Sequence, residues 1–257
     1  MQTLRRRLFA VCSMSVAAVV LWGPSVGSAG STAISHRPRV AVGRPGTRAA
    51  GWASTNWSGY AVSGSTYNSV TAKWIVPAVA ASRKATYSSD WVGIDGYNNS
   101  NLIQTGTESD YYNGSAHYAA WWEILPAAET VIPSITVKPG DTVTASITKG
   151  SGSSWTITIT DGGKSFTTTQ TYTGPQTSAE WIEEAPTVGG RVAPLANYGQ
   201  TTFDPGTVNG ANPRLNASEA GVMVQKRVQV STPSNPDGDT DGFNIAYGAA
   251  APAPPPS

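Results

Sequence analysis

Carboxyl and amide side chains interrupt stretches of this sequence that are otherwise apolar. Gln104 follows two aliphatic residues, and residues 179–184 read Ala-Glu-Trp-Ile-Glu-Glu. Because alternate side chains of a strand share one face, Glu180, Ile182 and Glu184 are expected to point to the same side. Polar groups on a packed face cost free energy unless they are paired. The sequence therefore predicts a polar cleft, lined by carboxyl and amide groups, on an apolar sheet.

Several other kinds of chemistry are excluded by what the chain lacks. After the N-terminal segment the only histidine is His117, so a histidine-ligated zinc site has too few ligands. A serine triad would have to use that one histidine, and no Gly-x-Ser-x-Gly elbow occurs after residue 30. The only cysteine, Cys12, lies near the N-terminus. No phosphate-binding glycine loop or basic patch occurs, and we expect no cofactor, no metal and no nucleic-acid partner.

The acidic run 237–242 resembles the start of a calcium-binding loop. Gly248 stands where such a loop carries its closing bidentate glutamate. A plain acidic turn is therefore the preferred interpretation, with weak calcium binding at Asp237–Asp241 as the alternative.

The N-terminus predicts secretion. Three arginines, Arg5 to Arg7, precede an uncharged apolar stretch and then small residues, which is the order of a signal peptide. We assign residues 1–30 to it and expect an extracellular protein, with a single N-terminal anchor as the alternative reading. The apolar stretch is short for a membrane span, which needs about 20 residues. Residues 31–50 are basic, whereas all sixteen acidic residues follow position 50, so this segment is predicted to be a leader or short propeptide, or else a simple linker.

Residues 51–248 are predicted to form one all-β domain. The segments with alternating or strand-like composition are 69–76, 132–137, 141–148, 155–160, 164–169 and 222–230. Asp161-Gly162-Gly163 between two of them predicts a hairpin turn. With no helical apolar periodicity, the pattern favours a two-sheet antiparallel β-sandwich. The Ala/Pro-rich residues 249–257 are predicted to be a disordered tail.

Five segments, taken in order, resemble the glutamic peptidase (eqolisin) family. They are Asn56-Trp57-Ser58-Gly59-Tyr60, Trp91 to Gly96, Ile103-Gln104-Thr105-Gly106, Trp121-Trp122-Glu123 with Pro126, and Ala179 to Glu184. Together they cover most of the predicted domain, from Asn56 to about residue 230. The resemblance implies a sandwich of two seven-stranded antiparallel sheets, a concanavalin A-like jelly roll. It also implies a secreted acid endopeptidase that is insensitive to pepstatin, acts on polypeptides and needs no cofactor. We expect a monomer by default.

Carried over by position, the resemblance places the catalytic pair on Gln104 and Glu184. Glu184 would activate water as a general base, and Gln104 would donate to the oxyanion. The residues implied to support this pair or bind substrate are Trp57, Trp91, Asp95, Glu108, Trp121 and Glu123. Two departures from fungal members are Ala119 in place of an acidic residue and Glu108 in place of an aspartate.

Two other functions fit a secreted β-sandwich with aromatic residues. A glycoside hydrolase could use two glutamates, here Glu123 and Glu184, with a separation that decides retention or inversion. A carbohydrate-binding module would instead use exposed tryptophans and tyrosines as stacking platforms. In the binding module neither Gln104 nor Glu184 would be needed.

Overall fold

The computed structural model describes residues 33–43 and 51–257. The predicted signal peptide, residues 1–30, lies outside the described residues, as do residues 31–32 and 44–50. Within the described ranges the chain forms strands, turns and loops without a helix. Among these residues there is accordingly no helix with the length and apolarity needed to cross a membrane.

Eighteen strands are present in the described residues. They are β1 (Ile34–Ser35), β2 (Trp52–Ser54), β3 (Trp57–Ser63), β4 (Ser69–Ile75), β5 (Ser89–Ile94), β6 (Ile103–Tyr112), β7 (Ser115–Ile124), β8 (Thr130–Val131), β9 (Thr142–Lys149), β10 (Ser154–Asp161), β11 (Lys164–Thr171), β12 (Ser178–Glu184), β13 (Thr187–Val188), β14 (Arg191–Val192), β15 (Gln200–Val208), β16 (Ala220–Gln225), β17 (Val228–Pro233) and β18 (Phe243–Tyr247).

One hydrogen-bonded path joins most of these strands. Its order is β11-β10-β9-β4-β15-β18-β17-β16-β3-β12-β5-β6-β7-β8, and β2 pairs with β16 beside it. The pairing of β2 with β16 is parallel, and the pairings along the path are antiparallel. A separate small sheet has the order β1-β13-β14.

The large sheet folds over so that its two halves face each other across the core. Strands β4, β9 and β10 pack against β5 and β6. Val70, Trp74 and Ile147 from one half and Val92 and Ile103 from the other are fully or almost fully buried there. This two-layered arrangement confirms the predicted all-β antiparallel sandwich, and one continuous ladder links its layers.

The predicted hairpin is present. β10 and β11 pair antiparallel, with Asp161 opposite Lys164. Gly162 and Gly163 between them have φ angles of 52° and 83°. Two positive φ angles in a two-residue loop are typical of the turn that matches strand twist.

Two strand predictions are wrong in detail. Residues 132–137 form no strand, because Pro133 lacks an N–H for a ladder and the backbone turns from Ile132 to Ile135. The side chains of Ile132, Ile135 and Val137 are nevertheless buried in the core, which explains the misleading apolar pattern. Residues 222–230 belong to two strands, β16 and β17, because Lys226 and Arg227 take positive φ angles of 51° and 69° and reverse the chain.

Both segments that flank the predicted domain contact it. Asn244 donates to the carbonyl of Ala253 at 2.8 Å, and the Gly238 N–H donates to Ser257 Oγ at 2.9 Å. These bonds join Ala253 and Ser257 to the domain, and the disordered tail at residues 249–257 stays a prediction. At the other end, β1 of the basic leader pairs with β13, with Ile34 opposite Val188.

Candidate active site

Strand alternation brings nearly all the predicted site residues onto one face of five neighbouring strands, β3, β12, β5, β6 and β7. We call this the cleft face. Glu184 and Glu108 lie on either side of Ser89 in the ladder, because each pairs with that residue. Gln104 lies directly opposite Glu123. Trp57 lies opposite Glu184 on the other side. The side chains of Glu184, Glu108, Gln104 and Glu123 are all buried.

Glu184 is held by neutral donors on both carboxylate oxygens. Asn56 Nδ2 donates to Oε1 at 3.2 Å, and Trp91 Nε1 donates to Oε2 at 3.0 Å. Asn56 is itself fixed, since its Oδ1 accepts from Ser54 Oγ at 2.7 Å. The carboxylate therefore has a defined orientation toward the cleft, as a general base requires.

Gln104 is oriented by Glu123. Its Nε2 donates to Glu123 Oε2 at 2.6 Å, and its Oε1 is buried without a hydrogen-bond partner in the described structure. A primary amide has two N–H donors on one nitrogen. With one N–H directed to Glu123, the second remains available to a group in the cleft.

Three tryptophans form the floor of the cleft face. Trp57, Trp91 and Trp121 are all fully buried and belong to one apolar cluster. Trp57 and Trp91 meet edge to face, with centroids 4.9 Å apart. Gly106 makes this packing feasible, because a Cβ there would lie 2.5 Å from Trp91 Cβ and 2.2 Å from the carbonyl oxygen of Asp90.

The leader enters this cleft and places His36 between the acidic groups. His36 Nδ1 lies 3.0 Å from Glu184 Oε2, and its Nε2 lies 3.1 Å from Glu108 Oε1 and 3.3 Å from Glu129 Oε2. Its backbone N–H reaches both carboxylate oxygens of Glu123 at 3.2 Å. The ring stacks on Trp121 with centroids 3.9 Å apart and is 99 % buried.

Residues on both sides of His36 fix the leader in place. The backbone N–H of Arg37 donates to Glu184 Oε1 at 3.3 Å. Arg39 Nε donates to the carbonyl of Tyr97 at 3.0 Å, and its guanidinium lies 4.3 Å from the centre of the Tyr97 ring. The Val40 N–H donates to Asn56 Oδ1 at 2.9 Å. Residues 36–40 of the leader therefore run across the cleft face.

Burial and charge shift the proton affinities in this cluster. Burial raises the pKa of Glu108 to about 7, aided by the charge of Glu129 and opposed by His36. Burial likewise raises the pKa of Glu123 to about 7 against the effect of His36. Burial alone would lower the pKa of His36, but the charge of Glu184 and the contacts with Glu108 and Glu129 raise it well above its ordinary value. The cluster therefore favours an imidazolium facing carboxylates near neutral pH.

Asp95 is hydrogen-bonded to a different set of residues from those of this cluster. Its carboxylate accepts from Tyr172 Oη at 2.6 Å and from the N–H groups of Gln176 and Thr177 at 2.8 and 2.9 Å. Asn99 Nδ2 also donates to it at 3.0 Å. The residue has a φ of 73° at the turn after β5. These bonds hold the turn, so the structure gives Asp95 a positioning role in the fold and brings it into no contact with Gln104 or Glu184.

A second set of carboxyl groups occupies the opposite face of the same strands. Glu183 pairs with Asp90 across β12 and β5, and both are buried. Burial raises the pKa of Asp90 to about 7 and raises the pKa of Glu183 well above its ordinary value, to which the Asp90 charge adds. Two adjacent buried carboxyl groups cannot both ionise readily. The pair is therefore expected to share a proton.

The acidic run has the form of a turn. Asp237 Oδ1 accepts from the N–H groups of Thr240, Asp241 and Gly242 at 2.8, 3.2 and 3.3 Å. One carboxylate oxygen each from Asp204, Asp237 and Asp241 lie within 4.8 Å of one another. The hydrogen bonding explains the turn without an ion, and weak calcium binding stays a prediction.

Sequence reasoning missed three residues of the cluster. The sequence places His36 in the basic leader and Asn56 in one of the five family-like segments, and predicts a role for neither. Glu129 carried no signal, since it lies in a loop between β7 and β8 with no regular pattern. The available signal was the charge complementarity between a basic leader and a cleft rich in carboxyl groups.

Comparisons with known proteins agree with this geometry. The Peptidase A4 family model matches residues 55–247. Aspergillopepsin-2 of Aspergillus niger is 28% identical over 214 residues, covering 73% of this chain and 76% of that protein. The crystal structure of aspergilloglutamic peptidase from Aspergillus niger has a TM-score of 0.54 at 29% identity and covers 63% of this chain and 99% of that one. Scytalido-glutamic peptidase with a transition state analog inhibitor shares the fold, with a TM-score of 0.65 at 23% identity over 75% of this chain and 98% of that one.

Fold, cleft and family match together define a glutamic-type endopeptidase. The chain belongs to the Peptidase A4, or eqolisin, family. The family identified by resemblance is thus confirmed, and its substrates are polypeptides.

Proposed function

We propose that this peptidase cleaves peptide bonds with Glu184 as general base and Gln104 as oxyanion donor, and that it works outside the cell in acid. The observation that carries the proposal is the pair of donors that orients Glu184 from Asn56 and Trp91. On the other side of the same cleft, Glu123 orients the amide of Gln104. A segment of polypeptide, the leader, already lies between these groups and contacts Glu123 and Glu184 through backbone N–H groups. The cleft thus has the dimensions and polarity to hold an extended chain.

The reaction begins with a water molecule between the two side chains. Glu184 accepts a proton from this water, and the resulting hydroxide attacks the scissile carbonyl carbon. The carbonyl π bond opens, and the negative charge on oxygen is stabilised by the second N–H of Gln104. Donors of this kind contribute about 3–4 kcal/mol to the transition state. Glu184 then transfers its proton to the leaving nitrogen, the C–N bond breaks, and a carboxylic acid and an amine result.

Glu123 is proposed to act through Gln104 rather than on the substrate. Its Oε2 accepts the 2.6 Å hydrogen bond that sets the amide plane of Gln104. A fixed donor stabilises the transition state without reorganisation during the reaction. Trp91 plays the equivalent positioning role for Glu184 through its indole N–H.

Acidic conditions suit this cleft for an electrostatic reason. Four glutamates reach one position, that of His36: Glu108, Glu123 and Glu184 on the cleft face and Glu129 in the loop after β7. Burial raises the pKa of Glu108 and Glu123 to about 7, so both are neutral in acid. Neutral neighbours reduce the electrostatic repulsion within the cleft.

Secretion is part of the proposal and is supported by the predicted signal peptide at residues 1–30. A monomer is also proposed, since one chain supplies Gln104, Glu184 and every residue that orients them.

The aromatic residues give less support to the two alternatives, a glycoside hydrolase and a carbohydrate-binding module, than to a peptidase. Stacking platforms for sugars require exposed rings, whereas Trp57, Trp91 and Trp121 have no exposed surface. Trp57 and Trp91 are covered by other residues of the domain, as their shared cluster with Leu102 and Ile182 indicates.

The test is casein hydrolysis by the acid-treated protein between about pH 2 and pH 8, with pepstatin present. We expect acid-limited activity that falls by about 10³-fold or more in Glu184→Gln and by about 10²-fold or more in Gln104→Ala. His117→Ala is the control, because this half-exposed histidine bonds only Ser115 and the Tyr112 carbonyl. Activity that survives in both cleft variants would contradict the assignment of the pair.

A further inference from the structure

We infer that Asp204, Asp237 and Asp241 form a calcium site that ties strand β15 to the turn between β17 and β18. The site goes beyond the proposed function, because it lies outside the cleft face and involves neither member of the proposed catalytic pair. Two of its ligands belong to the acidic run 237–242, whose sequence lacks the glutamate that closes a calcium loop. In the structure a third carboxylate comes instead from a distant strand, β15.

The three carboxyl groups come together from two parts of the chain. Asp204 lies on β15, where the register with β4 shifts between Phe203 and Gly206. Asp237 and Asp241 lie in the loop between β17 and β18. One carboxylate oxygen from each of the three lies within 4.8 Å of the other two. Calcium binds oxygen at about 2.3–2.6 Å, so two ligands of one ion are at most about 5 Å apart, and the observed spacing fits a single ion.

Asp237 provides the observation that points to a ligand. Only 6 % of this residue is exposed, and its Oδ2 has no hydrogen-bond partner in the described structure. The other oxygen, Oδ1, accepts the N–H groups that hold the turn. A buried carboxylate oxygen without a partner costs free energy. A cation bound between Oδ2 and the two neighbouring carboxylates removes that cost.

Gly242 keeps the gap between Asp237 and Asp204 open. A Cβ at position 242 would lie 2.7 Å from Asp237 Oδ2, 2.8 Å from Asp204 Cβ and 2.9 Å from Asp204 Cγ. The φ angle of Gly242 is outside the left-handed region, so its backbone conformation does not require glycine. The glycine is therefore explained by the space beside Oδ2, which the two carboxyl groups border.

The charge and the exposure of the cluster favour a cation from solvent. Within the described residues no ion pair is formed with any of the three carboxylates. Lys73, on the neighbouring strand β4, is exposed and forms none. Asp204 and Asp241 are only partly buried, so an ion can reach them, whereas the Asp90–Glu183 pair is enclosed in the protein. A proton suits that enclosed pair, and a hydrated divalent ion suits this one.

The ligand chemistry selects calcium among the common cations. All three ligands are carboxylate oxygens, which suit Ca²⁺, Mg²⁺ or Mn²⁺ better than metals that prefer nitrogen or sulfur. Ca²⁺ accepts about six to eight oxygens in a flexible geometry, whereas Mg²⁺ demands a nearly ideal octahedron. Three carboxylates from a strand and a turn, with water completing the coordination, suit the more tolerant ion. The expected dissociation constant is that of extracellular calcium modules, about 10⁻⁴–10⁻³ M.

A calcium ion at this position links two segments that few other contacts join. The Gly206 N–H donates to the carbonyl of Asp241 at 2.8 Å, which already brings β15 to the turn. The described chain contains no cysteine, so a disulfide cannot supply such a link. We therefore expect calcium to stabilise the folded domain by binding the native state alone.

The experiment measures calcium binding and thermal unfolding of the full chain near neutral pH, after metals have been removed with EDTA and dialysis. Equilibrium dialysis against radioactive Ca²⁺ should give about one tightly bound ion per chain. About 10 mM Ca²⁺ should raise Tm by about 3–6 °C, the shift that a dissociation constant near 1 mM produces in a domain of this size. Mg²⁺ at the same concentration should raise Tm by less than about 1 °C.

Two variants and a matched control locate the site. Asp204→Asn and Asp241→Asn should each weaken calcium binding at least about tenfold, because each replaces a charged ligand by an amide. Neither carboxylate makes a hydrogen bond within the described residues, so both variants should fold, which circular dichroism verifies. Asp239→Asn removes the same charge from an exposed position of the same run and should change the affinity less than about threefold.

Each result decides for or against the site. Calcium binding that is lost in Asp204→Asn and kept in Asp239→Asn supports it. The inference is overturned if wild type binds no calcium at about 10 mM, or if both cluster variants bind as wild type does. An equal rise of Tm in Mg²⁺ also overturns it, because the effect is then not specific to calcium. None of these measurements uses peptide hydrolysis, so their outcome is independent of the proposed function.

Discussion

The two faces of strands β5, β6 and β12 accommodate buried carboxyl groups in different ways. On the cleft face, Glu184 is surrounded by donors from Asn56, Trp91 and the leader. On the opposite face, Asp90 and Glu183 accept no hydrogen bond from any other residue of the described structure and face each other. The first arrangement stabilises a charge, and the second is stable only when a proton neutralises it. One sheet thus carries the proposed base, Glu184, on one face and a buried pair of carboxyl groups on the other.

The largest effect expected from this comparison is on stability. The pKa of Asp90 is raised to about 7 and that of Glu183 well above its ordinary value, both because of burial. The folded protein then binds more protons than the unfolded chain between about pH 4 and pH 7, so the free energy of unfolding falls as pH rises through that window. Each unit of pKa difference is worth about 1.4 kcal/mol. In urea unfolding, the free energy of unfolding of Glu183→Gln should fall markedly less between about pH 4 and about pH 8 than that of wild type.

Asp239→Asn serves as the control for this series, because Asp239 is exposed in the acidic turn. Its unfolding midpoint should follow wild type at every pH. If the free energy of unfolding of Glu183→Gln falls as steeply with pH as that of wild type, the paired carboxyl groups do not set the pH dependence of stability.

Asp95 sharpens the comparison from the structural side, since it is a buried carboxylate with a full set of donors. Asp95→Asn replaces one acceptor oxygen by an N–H₂ group while keeping a residue that tolerates the φ of 73°. We expect a loss of about 2 kcal/mol in unfolding free energy and less than about a threefold change in kcat/KM. A collapse of activity in a variant of unchanged stability would instead place Asp95 in the cleft chemistry, as the family resemblance implied.

The smallest effect concerns a single indole N–H. Trp91→Phe keeps an aromatic ring in the cluster and removes the 3.0 Å hydrogen bond to Glu184. A net contribution of about 1 kcal/mol predicts about a fivefold fall in kcat/KM. Trp57→Phe is a matched control in the same cluster, because the Trp57 N–H has no partner in the described residues. Equal effects of the two substitutions would mean that packing, and not the hydrogen bond, matters at Trp91.

The sequence predicts most of the cleft face because strand alternation is a local rule. It places Glu184 on one face and Glu183 on the other, and the register then brings Gln104 opposite Glu123. Residue identity also defines local turns such as Gly162-Gly163. Assigning Gln104 and Glu184 as the reacting pair, however, depended on resemblance to a family, since alternation alone does not distinguish Glu180 from Glu184.

What the sequence does not reveal depends on contacts between distant segments. Asp95 shares the alternation of the cleft residues, but its positive φ turns it toward Tyr172, 77 positions away. His36 and Glu184 are 148 positions apart, and no local pattern links them. Strand prediction fails at Pro133 and at the Lys226-Arg227 turn. Apolar residues near both are buried in the core whether or not their backbone joins a β-ladder, so an apolar pattern alone does not identify a strand.

The continuous ladder through both layers has a consequence for how the chain reaches this structure. Its central pairings join strands far apart in sequence, such as β3 with β12 and β4 with β15. Closing such long loops costs entropy before the contacts form, and domains dominated by non-local β pairing fold slowly. The described chain also contains no cysteine that could hold an early intermediate together. Newly made chains should therefore spend a long time with unpaired strand edges, and the time needed to fold, more than final stability, is expected to limit the yield of active enzyme.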